Sequence, residues 1–361
     1  MKIGIIVHPY DEVKPSGLGR YVFELVNNML KCDTENEHVL FLKNKPSVLP
    51  SFPGTNWRVV VGEGGMFWID NVLKKEKSVD VHLFCTPVMP FFFKPKKSVV
   101  IALDFAYKKL RAPSLKYWIQ SKFTFWYHQL SMKRAWRVVA SSYATKNDCI
   151  RLFGIAEEKI KVIHMGFTRI CKLPHTVVDV PSRYFFFIGQ IKKRKNVLNL
   201  VKAFILFKEQ TGSEHKLLIA GNNSGEYYEE VCAYIAEKGM EKYIDFLGYI
   251  SDSEAAFVHT HAEAFVFVTL VEGSFGMPVL EAMDCGTAVI TSDTETSYEL
   301  KETESALLVD PYSVKRIALG MERVASDEAL REKLQKNGKA FADTISWEKM
   351  ARDVVELVKC L

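Results

Sequence analysis

At 361 residues the chain exceeds one ordinary domain, and two α/β domains are the expectation from length alone. Hydrophobic residues at 48% and charged residues at 25% exclude a disordered chain, and no apolar run approaches the ~18 residues of a membrane-spanning helix. The net charge of +5 divides into +12 over residues 1–180 and −7 over the rest, so the first half suits phosphate or anionic lipid, while nucleic acid ranks last without a recognition motif.

The opening Met1-Lys2-Ile3-Gly4-Ile5-Ile6-Val7-His8 turns polar too soon for a secretory leader and reads as a buried strand over 2–8. Strands are expected next at 38–43, 56–61, 80–84, 98–103, 136–141 and 160–163, with helices at 19–30, 67–77 and 115–134. Periodicity lapses over 170–183, where Pro174 and Pro181 stand, and the interdomain linker is placed there. The alternation restarts with strand 184–189, helix 196–209, strand 216–220, helix 226–238, strand 243–247, helix 252–261 and strand 264–269. Helix 278–285, strands 287–291 and 306–309, and helices 313–325, 328–341 and 347–359 close the chain.

Such alternation signals βαβ units and parallel sheets. Residues 1–175 and 183–345 then form two Rossmann-like, doubly wound domains, and 346–361 a helix expected to pack back toward the first. Ligands of these sheets bind beyond the carboxyl ends of the strands, so a cleft between the domains is the expected site. The seven cysteines (32, 85, 149, 171, 232, 285 and 360) are odd in number and lack a C-x-x-C pair. They predict no disulfide framework and no zinc site, fit a cytoplasmic protein, and read as small buried apolar residues.

Three segments carry chemistry. Pro15-Ser16-Gly17-Leu18-Gly19-Arg20-Tyr21 follows the first strand and opens a helix, whose N-terminal N–H groups and dipole favour an anion. Val22 takes the place of the third glycine of a dinucleotide fingerprint, so a plain tight turn is an equal reading. Phe186-Phe187-Ile188-Gly189-Gln190-Ile191-Lys192-Lys193-Arg194-Lys195-Asn196 runs from a buried strand into four consecutive cations. A charge run is ordinarily a solvated loop, but this one stands at a strand's carboxyl end, where α/β proteins hold phosphates. In Thr269 through Thr287 a strand delivers Glu272, Gly273, Phe275 and Gly276, then Met277 and Pro278 at a helix start and Glu281 one turn inside. Acids complementing the helix dipole would explain Glu281 but not the glycines beside Glu272.

This last block resembles the E-G-F-G-L-P-x-L-E-A-M-x-C-G-T-P-V-I segment of the family-4 retaining glycosyltransferases. Gly17-Leu18-Gly19-Arg20-Tyr21, Arg194-Lys195-Asn196-Val197, Phe246-Leu247-Gly248-Tyr249-Ile250-Ser251-Asp252, Leu307-Leu308-Val309-Asp310-Pro311-Tyr312 and Ser346-Trp347-Glu348-Lys349 are similar to further segments of that family, in the same order. The resemblance spans nearly the whole chain and implies the GT-B fold, with the active site in the cleft. It implies transfer of a hexose, mannose as the leading guess, from a GDP- or UDP-linked donor to a glycan or lipid-linked acceptor, as in bacterial surface polysaccharide biosynthesis.

The resemblance also implies roles. Lys195 and Arg194 would neutralise the departing diphosphate, Gly189 would line the donor site, and Glu281 would bind the ribose hydroxyls. Glu272, Gly273 and the amides of Phe275, Gly276 and Met277 would hold the transferred sugar, with Gly17 and Gly19 over the phosphates from the other domain. Separation of a glycosyl cation from a diphosphate is helped most by fixed positive charge, so with no D-x-D motif no metal or other cofactor is expected. Two departures stand out. Glu272 and Glu281 enclose eight residues where the family has seven, Ser274 being the extra one, and Leu103 replaces a common histidine, leaving Asp104 as the candidate sugar or acceptor contact. A nucleotide-sugar epimerase of the same fold and a catalytically idle nucleotide-binding protein are the alternatives. His8, His82, His128 and His164 read as structural.

Residues 107–137 hold Lys108, Lys109, Arg111, Lys116, Lys122, Lys133, Arg134 and Arg137, interleaved with aromatics and free of acids. Leu115, Ile119, Phe123, Trp126 and Leu130 form one helical stripe, expected to belong to the domain core, while Tyr117 and Phe125 are expected on an outward face with the cations. An anionic membrane is a further candidate partner for that face, a core helix with ordinary surface lysines being the equal alternative.

Overall fold

The computed structural model describes residues 1–10, 17–45, 51–109, 114–271 and 275–361. The chain divides into two compact units, Met1–Gly166 with Ile345–Leu361, and Phe167–Thr344.

The first unit runs β1 (Lys2–Ile6), α1 (Gly17–Cys32), β2 (Glu37–Leu42), β3 (Trp57–Val61), α2 (Trp68–Lys75), β4 (Val81–Phe84), β5 (Ser98–Ala102), α3 (Ala106–Lys109), α4 (Leu115–Arg134), β6 (Arg137–Ala140), α5 (Tyr143–Phe153) and β7 (Ile160–Val162). All neighbouring strands pair parallel, in the order β3-β2-β1-β4-β5-β6-β7. Parallel sheets are covered on both faces, so their strands are apolar throughout and the period of two shows only in what each residue touches. Ile3, Ile5, Leu40, Leu83 and Ile101 pack with α1. Phe41, Phe84, Val100 and Val138 face the other way, toward α2 and the buried ends of α4 and α5.

The second unit runs β8 (Tyr184–Ile188), α6 (Val197–Thr211), β9 (Lys216–Ala220), α7 (Glu226–Glu237), β10 (Ile244–Gly248), α8 (Asp252–His261), β11 (Ala264–Phe267), α9 (Met277–Asp284), β12 (Val289–Ser292), α10 (Tyr298–Glu302), β13 (Leu307–Val309), α11 (Val314–Ser326) and α12 (Glu328–Asp343). Its parallel sheet has the order β10-β9-β8-β11-β12-β13. A side chain at Gly320 of α11 would meet Val309 Cγ1 at 3.0 Å, so glycine lets that helix close on the sheet.

A last helix, α13 (Trp347–Lys359), belongs to the first unit, where it packs on α1. Ser346 caps it by accepting from the Lys349 N–H, and Met350, Val354 and Val358 are buried in the α1 face of the core. Gly166 admits this return: a Cβ there would lie 2.4 Å from Trp347 N.

Three expectations are corrected. Residues 167–175 belong to the second unit, not the first, because Ile170 is buried against Ala255 and Ala256 and the Arg169 guanidinium pairs with Asp284 at 2.6 Å and Asp343 at 2.9 Å. The cysteines are not uniformly buried and unpaired: Cys171 and Cys285, 114 residues apart, form a disulfide, while Cys32 and Cys360 are exposed. The turn holding Cys171 lies against α8 and α9, which brings the two β-carbons together. Helix α4 is also turned over relative to expectation. Phe125 stacks on Phe153 at 4.6 Å and Met132 lies in the core, whereas Leu115, Ile119, Phe123 and Trp126 point into solvent. Among the described residues no helix is long and apolar enough to cross a membrane.

Candidate functional site

In each sheet the chain reverses its direction of growth once, between β1 and β4 and between β8 and β11. The loops leaving the carboxyl ends of such strands splay apart and leave a crevice, the usual ligand site of an open parallel sheet.

In the second unit, β8 delivers Gly189 and the cationic segment, and β11 delivers the segment that leads to α9. The four cations are not equivalent. Lys192 and Lys193 are exposed and Arg194 half-buried, but Lys195, in a single 3₁₀ turn, is 9% exposed. Its Nζ stands 4.6 Å over the centroid of the Phe267 ring. A side chain at Gly276 would meet that ring at 3.1 Å, and one at Gly189 would meet it at 3.8 Å. Lys195, Gly189 and Gly276 therefore border one buried aromatic ring at the end of β11.

Two further contacts hold this arrangement. The Leu270 N–H donates to the Arg194 carbonyl at 2.9 Å, tying the two loops together. Asn196, buried and with φ of 61°, donates from Nδ2 to the carbonyls of Val268 at 2.9 Å and Pro311 at 2.7 Å. Asparagine is among the few residues with a side chain that enter this left-handed region readily. It belongs to the quoted motif, yet no role attaches to it from sequence. Gly221 is a second such residue: a Cβ there would lie 2.0 Å from the Gly189 oxygen, so a side chain would push the Gly189 loop away.

Helix α9 starts at Met277, with Gly276 (φ 89°) before it, Pro278 in its first turn and no acid there. Its N-terminus therefore presents the positive dipole end of the helix, about half a charge, with no acid in its own first turn. Phe275 is buried and meets the Phe341 ring edge-on at 5.5 Å, and Glu281 lies half-buried one turn inside the helix. Glu272, Gly273 and Ser274 lie outside the described residues. A buried ammonium, a helix N-terminus and side-chain-free backbone at one crevice are the chemistry that holds a phosphate or diphosphate.

In the first unit, Gly17 and Gly19 open α1, which follows β1 at the carboxyl end of the sheet's own reversal point. Pro15 and Ser16 lie outside the described residues. Asp104 is exposed just past β5, and burial first, with the Asp104 carboxylate adding to it, holds the Tyr107 phenol above its ordinary pKa. Leu103 is half-buried with its carbonyl accepting from the hydroxyls of Ser141 and Thr145. The histidines read as structural include His82 and His128, both pushed down to about 4 by burial.

Residues 175–341 match the family model described as glycosyl transferases group 1. The chain is 28% identical over 241 residues to the O-antigen chain mannosyltransferase B of Escherichia coli, covering 64% of this chain and 62% of that one. It spans under two thirds of the length of this and three further sequence relatives. Sucrose-phosphate synthase from Thermosynechococcus elongatus has a similar structure, with a TM-score of 0.73 at 18% identity over 99% of this chain and 98% of that one. HepE of Anabaena, solved with UDP, matches with a TM-score of 0.74 at 15% identity over the full length of both chains. The fold is thus that of the GT-B glycosyltransferases, and the match to the glycosyl transferases group 1 model is confined to residues 175–341.

Proposed function

We propose that the chain is a hexosyltransferase that moves mannose from a nucleoside-diphosphate sugar to a glycan or lipid-linked acceptor in surface polysaccharide synthesis, with retention of the α configuration. The observation that carries this reading is the meeting of Lys195, Gly189 and Gly276 on the Phe267 ring at the β8/β11 reversal point. The mannosyltransferase relative supports the sugar, and the UDP-bound neighbour supports a nucleoside diphosphate at a site of this fold.

In this reading the diphosphate lies against Lys195, Arg194 and the N-terminus of α9. As the glycosidic bond breaks, negative charge grows on the diphosphate, and a buried ammonium fixed beforehand stabilises that charge without reorganising. Glu281 accepts from the ribose hydroxyls. Glu272 and the amides of Phe275, Gly276 and Met277 hold the hydroxyls of the sugar. Asp104 contacts sugar or acceptor in place of the histidine that Leu103 replaces. The acceptor attacks from the face that the leaving group vacates, so no protein nucleophile is needed, and the fixed cations and helix N–H groups supply the positive charge that a metal ion would otherwise give.

The test is a thermal-shift screen of GDP, UDP, GDP-mannose and UDP-glucose, since a ligand of the native state raises apparent stability by mass action. The donor that shifts the transition is then offered with an oligomannose acceptor, and the anomeric configuration of the product is read by NMR. Stabilisation by GDP compounds and an α-mannoside product support the reading. No shift with any of the four, or a β-linked product, overturns it.

A further inference from the structure

We propose that the first unit docks on an anionic lipid surface through the outward side of α4 and the neighbouring residues of the Phe91-Phe92-Phe93 loop. Leu115, Trp118, Ile119, Phe123 and Trp126 are 50–73% exposed, and Phe92 is 66% exposed. Among the described residues of α4 only Ser131 and Met132 are buried, so the helix contributes a short inward contact and keeps most of its aromatic surface outside. An exposed apolar surface of this extent marks an interaction site in a soluble fold.

The face is built to be presented. Asp70 is 2% exposed, and its two oxygens accept from the backbone N–H groups of Phe91, Phe92 and Phe93 at 2.6–2.9 Å. From the other side the Arg134 guanidinium donates to the carbonyls of Pro90, Phe91 and Phe93 at 2.9–3.2 Å. Phe91 stacks on Tyr127 at 4.5 Å with 2° between the rings, which joins the loop to α4. A buried carboxylate and a guanidinium thus fix a loop whose central ring, Phe92, stands in water. Stability alone gives no reason to hold an apolar ring there.

Charge selects the occupant. Helix α4 contains no acid, and Lys122 lies 5.4 Å over the Trp118 ring while Lys74 lies 5.7 Å over Phe92. Lys94 and Lys116 are exposed at the same loop and helix. Ammonium groups beside half-exposed indole and phenyl rings match the layer between phospholipid headgroups and acyl chains, where rings reach the hydrocarbon edge and lysines the phosphates. The arrangement does not depend on which sugar is transferred, or on whether any is.

Sedimentation of the full chain with vesicles tests it, without donor or acceptor. Phosphatidylcholine vesicles are compared with phosphatidylcholine–phosphatidylglycerol vesicles at low salt. The native chain is expected to bind the anionic vesicles at least ~10-fold more strongly than the neutral ones, the change that a few surface cations produce. Two variants at exposed positions, Lys74→Glu/Lys116→Glu/Lys122→Glu and Trp118→Ser/Phe123→Ser/Trp126→Ser, should each lose that binding while keeping the native circular dichroism spectrum. Recovery of the native chain in the supernatant with both vesicles overturns the proposal, as does undiminished binding by either folded variant. A dimer that the aromatic variant alone dissociates, with no vesicle binding by the native chain, would instead make the face an interface between copies.

Discussion

Substitution of Asn196 tests the site's geometry directly, because one side chain ties two loops. Its Nδ2 serves the carbonyls of Val268 and Pro311, and its backbone sits at φ 61°. Asn196→Ala removes both donors, leaving two buried acceptors at a cost of about 1–3 kcal/mol each, and a methyl group in the left-handed region adds about 1 kcal/mol. The sum is about 3–7 kcal/mol, and for a unit of this size each kcal/mol lowers Tm by about 2–4 °C, so a fall of at least ~6 °C is expected. Asn196→Gly loses the same two bonds but relieves the backbone, and should melt about 2–4 °C above the alanine variant. Differential scanning calorimetry of the three proteins reads both terms. A fall of less than about 2 °C for Asn196→Ala, or full recovery by glycine, would refute the claim that the amide bonds hold the site together.

Lys195→Ala should lower kcat by ~10²-fold or more with the nucleotide still bound, as for loss of one preorganised charge, and native transfer should persist in excess EDTA. Loss of activity on chelation, restored by Mg²⁺, would contradict the leaving-group argument. Glu281→Ala should weaken nucleoside-diphosphate affinity by about 10-fold or more, the scale of a lost bond to a charged acceptor, and unchanged calorimetric affinity would end the ribose assignment. Burial pushes the imidazole of His259 down to about 3, and those of His82 and His128 to about 4. Between those values and the ordinary ~6.5 the unfolded chain binds more protons, so stability rises with pH across that window by up to about 1.4 kcal/mol per unit for each histidine, and flattens above it. His259 has no hydrogen-bond partner among the described residues and lies between Phe186 and Phe265, so His259→Phe should lessen the slope of urea-unfolding stability between pH 5 and 6.5. An unaltered slope would show that the imidazole does not titrate as burial requires.

Most elements were legible because period and punctuation agree. Strand 216–220 and helices 115–134, 252–261 and 347–359 occupy the positions that their patterns predict. Helix α5 was missed although Ser142 caps it and Gly154 ends it at φ 63°. Its buried face includes Thr145 and Asp148, so no apolar stripe marks it. The cationic segment was readable as a candidate, but which of its four cations is buried depends on Phe267, seventy-two residues beyond Lys195. The Cys171–Cys285 pair lay outside reach for the same reason, since a spacing of 114 carries no local signal.

Helix α4 shows where a pattern argument ends. Leu115, Ile119, Phe123 and Trp126 recur at helical spacing, and burial in the core is the ordinary inference from that spacing. Spacing states only that one side of a helix avoids water. It does not say which surface excludes the water, and a protein core and a lipid bilayer impose the same period. Contacts settle which side meets the core: Phe125 and Met132 take it, the stripe lies in solvent, and the clamp of Asp70 and Arg134 holds the loop from which Phe92 stands exposed. A core helix needs no cations along its buried stripe, since each would lose its hydration there. A helix at a headgroup layer, as proposed for α4, would gain from every one, and Lys122 beside Trp118 is a pairing that the proposal uses.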